Sequence, residues 1–264
     1  MKTLIVCLAI FCLSTLELVA QIGVPGLGKA NVASWFALGI SQKLDTIEGK
    51  GWQSMSYIGL GRISNPDNYA IFQKQAMLVV NQEFYHQFHH NWQYSFGLSY
   101  RLRDEYLDDY PYTHDSPRQK QEFRTYVRAS YTYKKGSIKL VPTLRQEFRK
   151  YYAPDFSRVS EDFQFRTRAR LQLTINLDAQ KIHRLIFSSE QLFSITKKNY
   201  PNRWTDFNYR ESRFSVHYSI SPKSIPVIFN VGYMNNLMGN KNPYSVHYLA
   251  ADIIIENPFK LKKR

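Results

Sequence analysis

Apolar and polar residues alternate along most of this chain. In the stretch from Trp92 to Arg103, every second residue is apolar or aromatic, and the residues between them are small, polar or charged. The stretch from Phe163 to Leu177 repeats the pattern, with arginines on its polar side. Successive side chains of a β-strand point to opposite faces, so a period of two predicts strands with one apolar and one polar face.

Eleven segments show this pattern. They are residues 32–42, 51–61, 71–87, 92–103, 119–134, 137–150, 163–177, 183–195, 204–220, 225–236 and 245–257. Short turns and longer loops alternate between them, which is typical of outer-membrane barrels. We therefore predict an all-β fold, an antiparallel transmembrane β-barrel of about 10 to 12 strands, formed by residues 21–264 as one domain. Because bacterial single-chain barrels usually have even strand numbers, ten or twelve is expected rather than eleven.

Residues 1–20 have the composition of a secretory signal peptide. Lys2 gives a basic start, an apolar run follows, and the small residue Ala20 precedes the predicted cleavage site. Cys7 and Cys12 both lie in this segment, so the mature chain is expected to contain neither a cysteine nor a lipid anchor. After residue 20, no apolar run approaches the roughly 18 residues that a membrane helix needs. The sequence thus excludes a helical membrane protein and predicts a location in the cell outer membrane.

The hairpin around residues 135 and 136 offers a test of strand register. If Lys135 and Gly136 form a two-residue turn, Glu122 pairs directly with Arg149 across the ladder. Arg124 then pairs with Glu147 in the same way. Pro142 cannot donate a hydrogen bond to the ladder, so we expect a β-bulge there.

The polar face of the predicted sheet carries many arginines and glutamates but few lysines. Arginine pairs with carboxylates in a fixed planar geometry, which suits a confined interior better than an open surface. We therefore predict that the polar face lines the lumen and that the apolar face meets lipid. The lumen charge cluster consists of Glu122, Arg124, Arg128, Arg145, Glu147, Arg149, Arg166, Arg168, Arg170, Arg184, Glu190, Glu211 and Arg213. Glu83, Arg101 and Arg103 share its face.

Three functions remain open at this point. Arginines outnumber glutamates on the inward face, which favours a narrow anion-preferring channel if a continuous path exists. If the charges instead pair across a closed interior, the barrel is a structural or binding protein. A soluble periplasmic ligand-binding β-barrel is the alternative, in which the apolar face would point inward.

A fourth alternative is a lipid-modifying hydrolase of the outer membrane. His217 and Ser219 lie two residues apart on one strand face, a spacing similar to the His-x-Ser motif of outer-membrane lipid A deacylases, and Glu211 is a conceivable third member. Those enzymes carry the pair on the outer wall, whereas the phasing here points it inward. No catalytic residue is therefore predicted, and we do not expect an enzyme.

Metal and nucleic-acid sites find little support. His86, His89 and His90, and the acidic run at 104–109, lack the spacing of known metal sites, so no metal or cofactor is expected. The formal net charge is +14, from 35 basic and 21 acidic residues. The arginines are spread over successive strands rather than gathered in a patch, which does not fit nucleic acid. The expected partners are outer-membrane lipid, lipopolysaccharide and the outer-membrane assembly machinery.

Five short motifs are distinctive: Ser34-Trp35-Phe36, Gly97-Leu98-Ser99-Tyr100, Leu144-Arg145-Gln146-Glu147-Phe148, Ser189-Glu190-Gln191-Leu192-Phe193, and Arg213 leading into Tyr218. In these motifs the chain resembles a family of exported outer-membrane barrels of Gram-negative bacteria known only as a domain of unknown function. This resemblance implies a barrel fold and a membrane location, and it supplies no catalytic residues.

Overall fold

The computed structural model of the chain describes residues 22–45, 51–239 and 242–259. The predicted signal peptide, residues 1–20, lies outside the described residues. Within these ranges, no helix has the length and apolar character needed to cross a membrane. The regular structure is β throughout: β1 (Val32–Lys43), β2 (Gly51–Ile63), β3 (Lys74–Gln87), β4 (Trp92–Tyr106), β5 (His114–Tyr131), β6 (Tyr133–Lys135), β7 (Ile138–Tyr152), β8 (Glu161–Asn176), β9 (His183–Lys198), β10 (Arg203–Trp204), β11 (Asn208–Ile220), β12 (Val227–Met238) and β13 (Tyr244–Glu256).

The eleven long strands close into one barrel. Each pairs antiparallel with the next long strand, and β1 completes the ring by pairing in parallel with β13 over ten residue pairs. The short β6 continues the line of β5 along β7, and the short β10 pairs with the end of β9. The predicted all-β barrel is confirmed, but the expectation of an even strand number is wrong. An odd number of strands that alternate in direction leaves the first and last strands parallel, and the β1–β13 pair accommodates this.

The predicted hairpin register is wrong by two residues. The turn is formed by Gly136 and Ser137, so Arg124 lies opposite Arg149, and Glu122 lies opposite Tyr151. A shift of two residues leaves every side chain on its predicted face, because the side-chain period of a strand is two. The predicted pairs of opposite charge therefore still form, but diagonally: Arg149 reaches Glu122 at 2.6 Å, and Arg124 reaches Glu147 at 2.9 Å.

Pro142 does not produce the expected bulge. The β5–β7 pairs end at Ser130 and Thr143, and the β6–β7 pairs resume at Tyr133 and Leu140 in the same register. Proline has no N–H to donate, so it interrupts the ladder without inserting an extra residue.

The two ends of the barrel differ in their connections. One end, here called the loop end, carries connections 64–73, 107–113, 153–160, 199–207 and 239–243. The opposite end, the turn end, carries the mostly shorter connections 44–50, 88–91, 136–137, 177–182 and 221–226. Strand β1 begins at the loop end, and β13 finishes at the turn end.

The faces of the barrel are inverted relative to a water-soluble protein. Charged residues such as Glu147 (0% exposed) and Arg124 (2%) point inward. Large apolar side chains point outward around the whole circumference, and each of the eleven barrel strands contributes at least one. Examples taken strand by strand are Leu38, Ile58, Val80, Leu98, Val127, Leu144, Leu171, Phe187, Phe214, Val231 and Leu249.

Candidate functional site: the charged barrel interior

Residues 22–31, the N-terminal segment, run through the interior of the barrel. Ile22 lies beside Gly39, which is four residues from the end of β1 at the turn end of the barrel. Leu27 lies beside Gly61, close to where β2 finishes at the loop end. Lys29 then pairs with Asp108 of the loop end at 3.9 Å. The segment therefore enters from the turn-end side and passes through the lumen before β1 begins.

Polar contacts fix the backbone of the N-terminal segment. Arg213 donates a 3.0 Å hydrogen bond to the carbonyl oxygen of Val24, and the amide of Leu27 donates a 2.9 Å hydrogen bond to the hydroxyl of Tyr248. These bonds satisfy backbone groups that burial removes from water. They also join the segment to β11 and β13.

One side of the lumen is apolar where the N-terminal segment packs against it. The inward residues of β12, β13 and β1–β3 form the wall here, and Trp35, Met77 and Ile254 are each at most 1% exposed. Burial of an apolar side chain of this size contributes about 1.5–3 kcal/mol. The interior of this barrel thus has a small hydrophobic core of its own.

The opposite side of the lumen is an ion-pair network across β5, β7, β8, β9 and β11. Glu147 lies at its centre and contacts Arg124, Arg145 and Arg168, each at 2.9 Å. Arg168 bridges onward to Glu190 at 2.6 Å. From Glu190 the network continues through Arg213 to Glu211 and Arg166. From Glu147 it continues through Arg124 to Glu122 and Arg149.

A second, smaller group of charges lies beside the network. Glu83 accepts hydrogen bonds from Ser95 at 2.6 Å, Tyr126 at 2.8 Å and Arg128 at 3.1 Å. The guanidinium of Arg145 stacks on the ring of Tyr126, 3.5 Å from its centre. This cation–π contact links the two groups.

All thirteen residues of the predicted lumen charge cluster lie on the inward face, and none is exposed. Ten of them belong to the connected network around Glu147. Arg128 pairs with Glu83 instead. Arg184 lies toward the turn end, where it donates a 3.5 Å hydrogen bond to Ser219, and Arg170 lines a cavity on that side.

The described residues line cavities at several levels of the lumen. The cavity at the loop end, near Lys120 and Glu161, has a volume of about 480 Å³, and the cavity on the turn-end side, near Glu83 and Arg170, has a volume of about 120 Å³. The network and the N-terminal segment lie between them. A third cavity of about 60 Å³, here called the arginine chamber, lies within this layer. Its walls are Gly26, Gly28, Arg101, Arg103, Arg124, Arg149, Arg166, Arg168, Glu211, Arg213 and Met238.

The residues of the hydrolase alternative do not form a catalytic trio. His217 and Ser219 point inward and are 2% and 0% exposed, away from the outer wall. Neither ring nitrogen of His217 has a hydrogen-bond partner among the described residues. Glu211 contacts Arg213 at 2.7 Å instead of orienting the histidine. Among the described residues there is also no cluster of three or more potential metal ligands.

Most of the barrel matches a known protein family. Residues 33–247 match the family described as "Protein of unknown function (DUF2490)". The chain belongs to the DUF2490 family. No curated protein and no solved structure matches this DUF2490 chain significantly. The matched range covers the barrel from β1 into β13, whereas the N-terminal segment precedes it.

The passage of the N-terminal segment through the lumen was not predicted from the sequence. The sequence feature that could have indicated this segment is a set of small residues that face inward on β1 and β2, namely Ala37, Gly39, Gly59 and Gly61. Small side chains on one wall indicate that another part of the chain packs against it. Asp252 of β13 was not predicted either; its buried carboxylate accepts a 2.8 Å hydrogen bond from Asn230. It lies within a mostly apolar strand, where alternation alone does not single it out.

Proposed function

We propose that this protein is an integral outer-membrane β-barrel whose lumen is closed, and that it acts as a binding or structural protein rather than an open pore. The observation that carries the membrane proposal is the apolar outer face. Leu98 and Leu144, on two different strands, are both 58% exposed. A continuous apolar surface of this kind is rare on soluble monomers and is the normal outer band of a membrane barrel.

The size of the strands fits the same proposal. The barrel strands have 12 to 18 residues, and a tilted strand needs roughly 9–11 residues to cross the hydrocarbon layer. Exposed aromatic side chains lie near both ends, with Trp92 at the turn end and Trp204 and Phe207 at the loop end. Such residues form the interfacial girdles of membrane barrels.

The path of the chain favours one orientation. The N-terminal segment starts on the turn-end side, and β13 also finishes at the turn end. Periplasmic turns are usually the shorter ones in membrane barrels. We therefore propose that the turn end faces the periplasm and meets the assembly machinery. Lipopolysaccharide would then meet only the loop end.

Membrane insertion is tested with the exported full-length protein. We expect it to fractionate with outer membranes, to resist extraction by alkaline carbonate, and to need detergent for purification. Recovery of the folded protein from the periplasm without detergent would favour the soluble ligand-binding alternative and would refute the membrane proposal.

A narrow anion-preferring channel is the second candidate, because arginines outnumber glutamates on the inward face. Conductance of the protein in a planar lipid bilayer separates the two candidates. A silent, inserted barrel supports the closed lumen. Steady anion-selective current that weakens when Arg166, Arg168 and Arg170 are changed to glutamine would support the channel.

A further inference from the structure

The arginine chamber has more positive than negative charge. Seven arginines line it, and the described carboxylates that contact these arginines within 4.0 Å are Glu105, Glu122, Glu147, Glu190 and Glu211. At least two positive charges are thus left uncompensated, and Arg145 also competes for Glu147. Buried charges are costly unless they are paired, so this excess calls for an anion.

Arg101 is the clearest of these uncompensated charges. It is 6% exposed, and its Nε atom has no hydrogen-bond partner among the described residues. Its Nη1 atom lies 3.9 Å from the sulfur of Met77, and it forms no salt bridge with a described carboxylate, since Glu122 pairs with Arg124 and Arg149 instead. A sulfur is a weak acceptor and cannot replace a counter-charge.

The N-terminal segment closes the chamber without filling it. A Cβ atom at Gly26 would lie 3.0 Å from Nη2 of Arg213, and one at Gly28 would lie 3.2 Å from Nη2 of Arg103. Gly28 also has a φ of +112°, which other residues rarely adopt. Glycine at both positions lets the backbone approach the arginines while leaving room between them.

We propose that the arginine chamber binds a small dianionic oxyanion of the phosphate or sulfate type. A volume of about 60 Å³ accommodates several water-sized atoms, which matches a tetrahedral oxyanion. Guanidinium groups bind such oxyanions through paired, charge-assisted hydrogen bonds. The site goes beyond the proposed function, since it requires neither conduction nor a membrane location.

The test uses the full mature chain, folded in detergent in a buffer without phosphate or sulfate. Sulfate and phosphate are titrated by calorimetry at constant ionic strength, which is held with chloride. We expect saturable binding of one oxyanion per barrel and a rise in the melting temperature that chloride does not reproduce. An equal effect of chloride would mean screening only, and the proposal would fail.

The location of the site is tested with matched arginine variants. Arg101→Met should weaken oxyanion binding by about tenfold or more, the loss expected for a charge-assisted contact. Arg184→Met removes an inward arginine that does not line the chamber, and it should bind like the unchanged protein. If both variants bind the oxyanion with the same affinity, the anion does not bind in the arginine chamber. If Arg101→Met does not fold, Gly26→Val provides a second test, because its side chain enters the chamber without removing a charge.

Discussion

Gly61 of β2 lies directly against Leu27 of the N-terminal segment. A Cβ atom at Gly61 would stand 2.4 Å from Cδ2 of Leu27, closer than non-bonded carbon atoms approach. Leu27 is 1% exposed, although it belongs to no strand. The absence of a side chain at Gly61 thus leaves the space on the inner wall in which Leu27 packs, so docking of the N-terminal segment depends on one position of β2.

Replacement of Gly61 by leucine should therefore displace the N-terminal segment. Loss of the burial of Leu27 weakens docking by about 2 kcal/mol. Thiol labelling of a Val24→Cys variant reports the displacement, since the mature chain is expected to have no other cysteine. We expect slow labelling in the Val24→Cys background and fast labelling once Gly61→Leu is added.

Gly23→Ala is the control for this experiment. A Cβ atom at Gly23 has no heavy atom within 4 Å, so the added methyl group should leave docking unchanged. Fast labelling of Val24→Cys without the Gly61 change would contradict the docked segment.

Glu147 should be the most sensitive acid of the lumen. It is fully buried and contacts three arginines, so Glu147→Gln leaves like charges facing one another without a counter-charge. Removal of one partner from a buried ion pair costs about 3–5 kcal/mol. Urea unfolding in lipid vesicles should show a loss of this size. Glu105→Gln at the rim, where the side chain is 21% exposed, should cost about 0–1 kcal/mol. Similar losses for both variants would argue against a central role for Glu147.

Alternation predicts which face a side chain lies on, but it does not fix which residues pair. The inward position of Glu122 and Arg149 follows from the period of two, and a shift of two residues leaves it unchanged. The turn could have been placed correctly: Gly136 has a φ of +59°, and glycine at the first central position is typical of a type II′ hairpin. The prediction put Gly136 second instead.

The N-terminal segment and the arginine chamber were beyond what periodicity can predict. Leu27 meets Gly61 and Tyr248, which lie in β2 and β13 and are far from it along the chain. Such contacts depend on how the barrel closes, and local alternation carries no information about closure. The uncompensated charge of Arg101 likewise depends on which carboxylates the final register brings near.

Disulfide formation can decide the register of the β5–β7 hairpin. Ala129 lies opposite Leu144, so cysteines at these two positions should cross-link readily under mild oxidation. The register predicted from sequence pairs Val127 with Leu144, and cysteines there are offset by two residues in the structure. We expect little cross-linking of that second pair. The reverse result would restore the sequence-based register.

The carboxylate of Asp178 should hold the 177–182 turn in a pH-dependent way. The amides of His183 and Ile182 donate hydrogen bonds to it at 2.6 and 3.0 Å, which holds the pKa of Asp178 below its ordinary value of 3.8. A lowered pKa in the folded state means that the stabilisation is present above the ordinary value and is lost as pH falls through the folded value. The protection of both amides from hydrogen exchange should drop over that range.

A substitution at Asp178 separates this effect from general acid unfolding. Asp178→Ala should show the reduced protection of the two amides already at neutral pH. Asp206→Ala is the control, because the hydrogen bonds at Asp206 use its backbone carbonyl. Full protection in Asp178→Ala would rule out the carboxylate as the cause.

A leucine-to-arginine pair distinguishes a lipid-facing wall from a water-facing one. Leu98 lies in the middle of β4, and Leu107 lies in the loop-end connection; they are 58% and 44% exposed. If Leu98 faces lipid, Leu98→Arg should destabilise the barrel in lipid vesicles by about 2–4 kcal/mol, because a charge near the bilayer midplane loses its hydration. Leu107→Arg should change stability by less than about 0.5 kcal/mol. On a soluble barrel both leucines would already face water, and both substitutions should be harmless. That result would refute the membrane proposal and leave the barrel fold itself unchallenged.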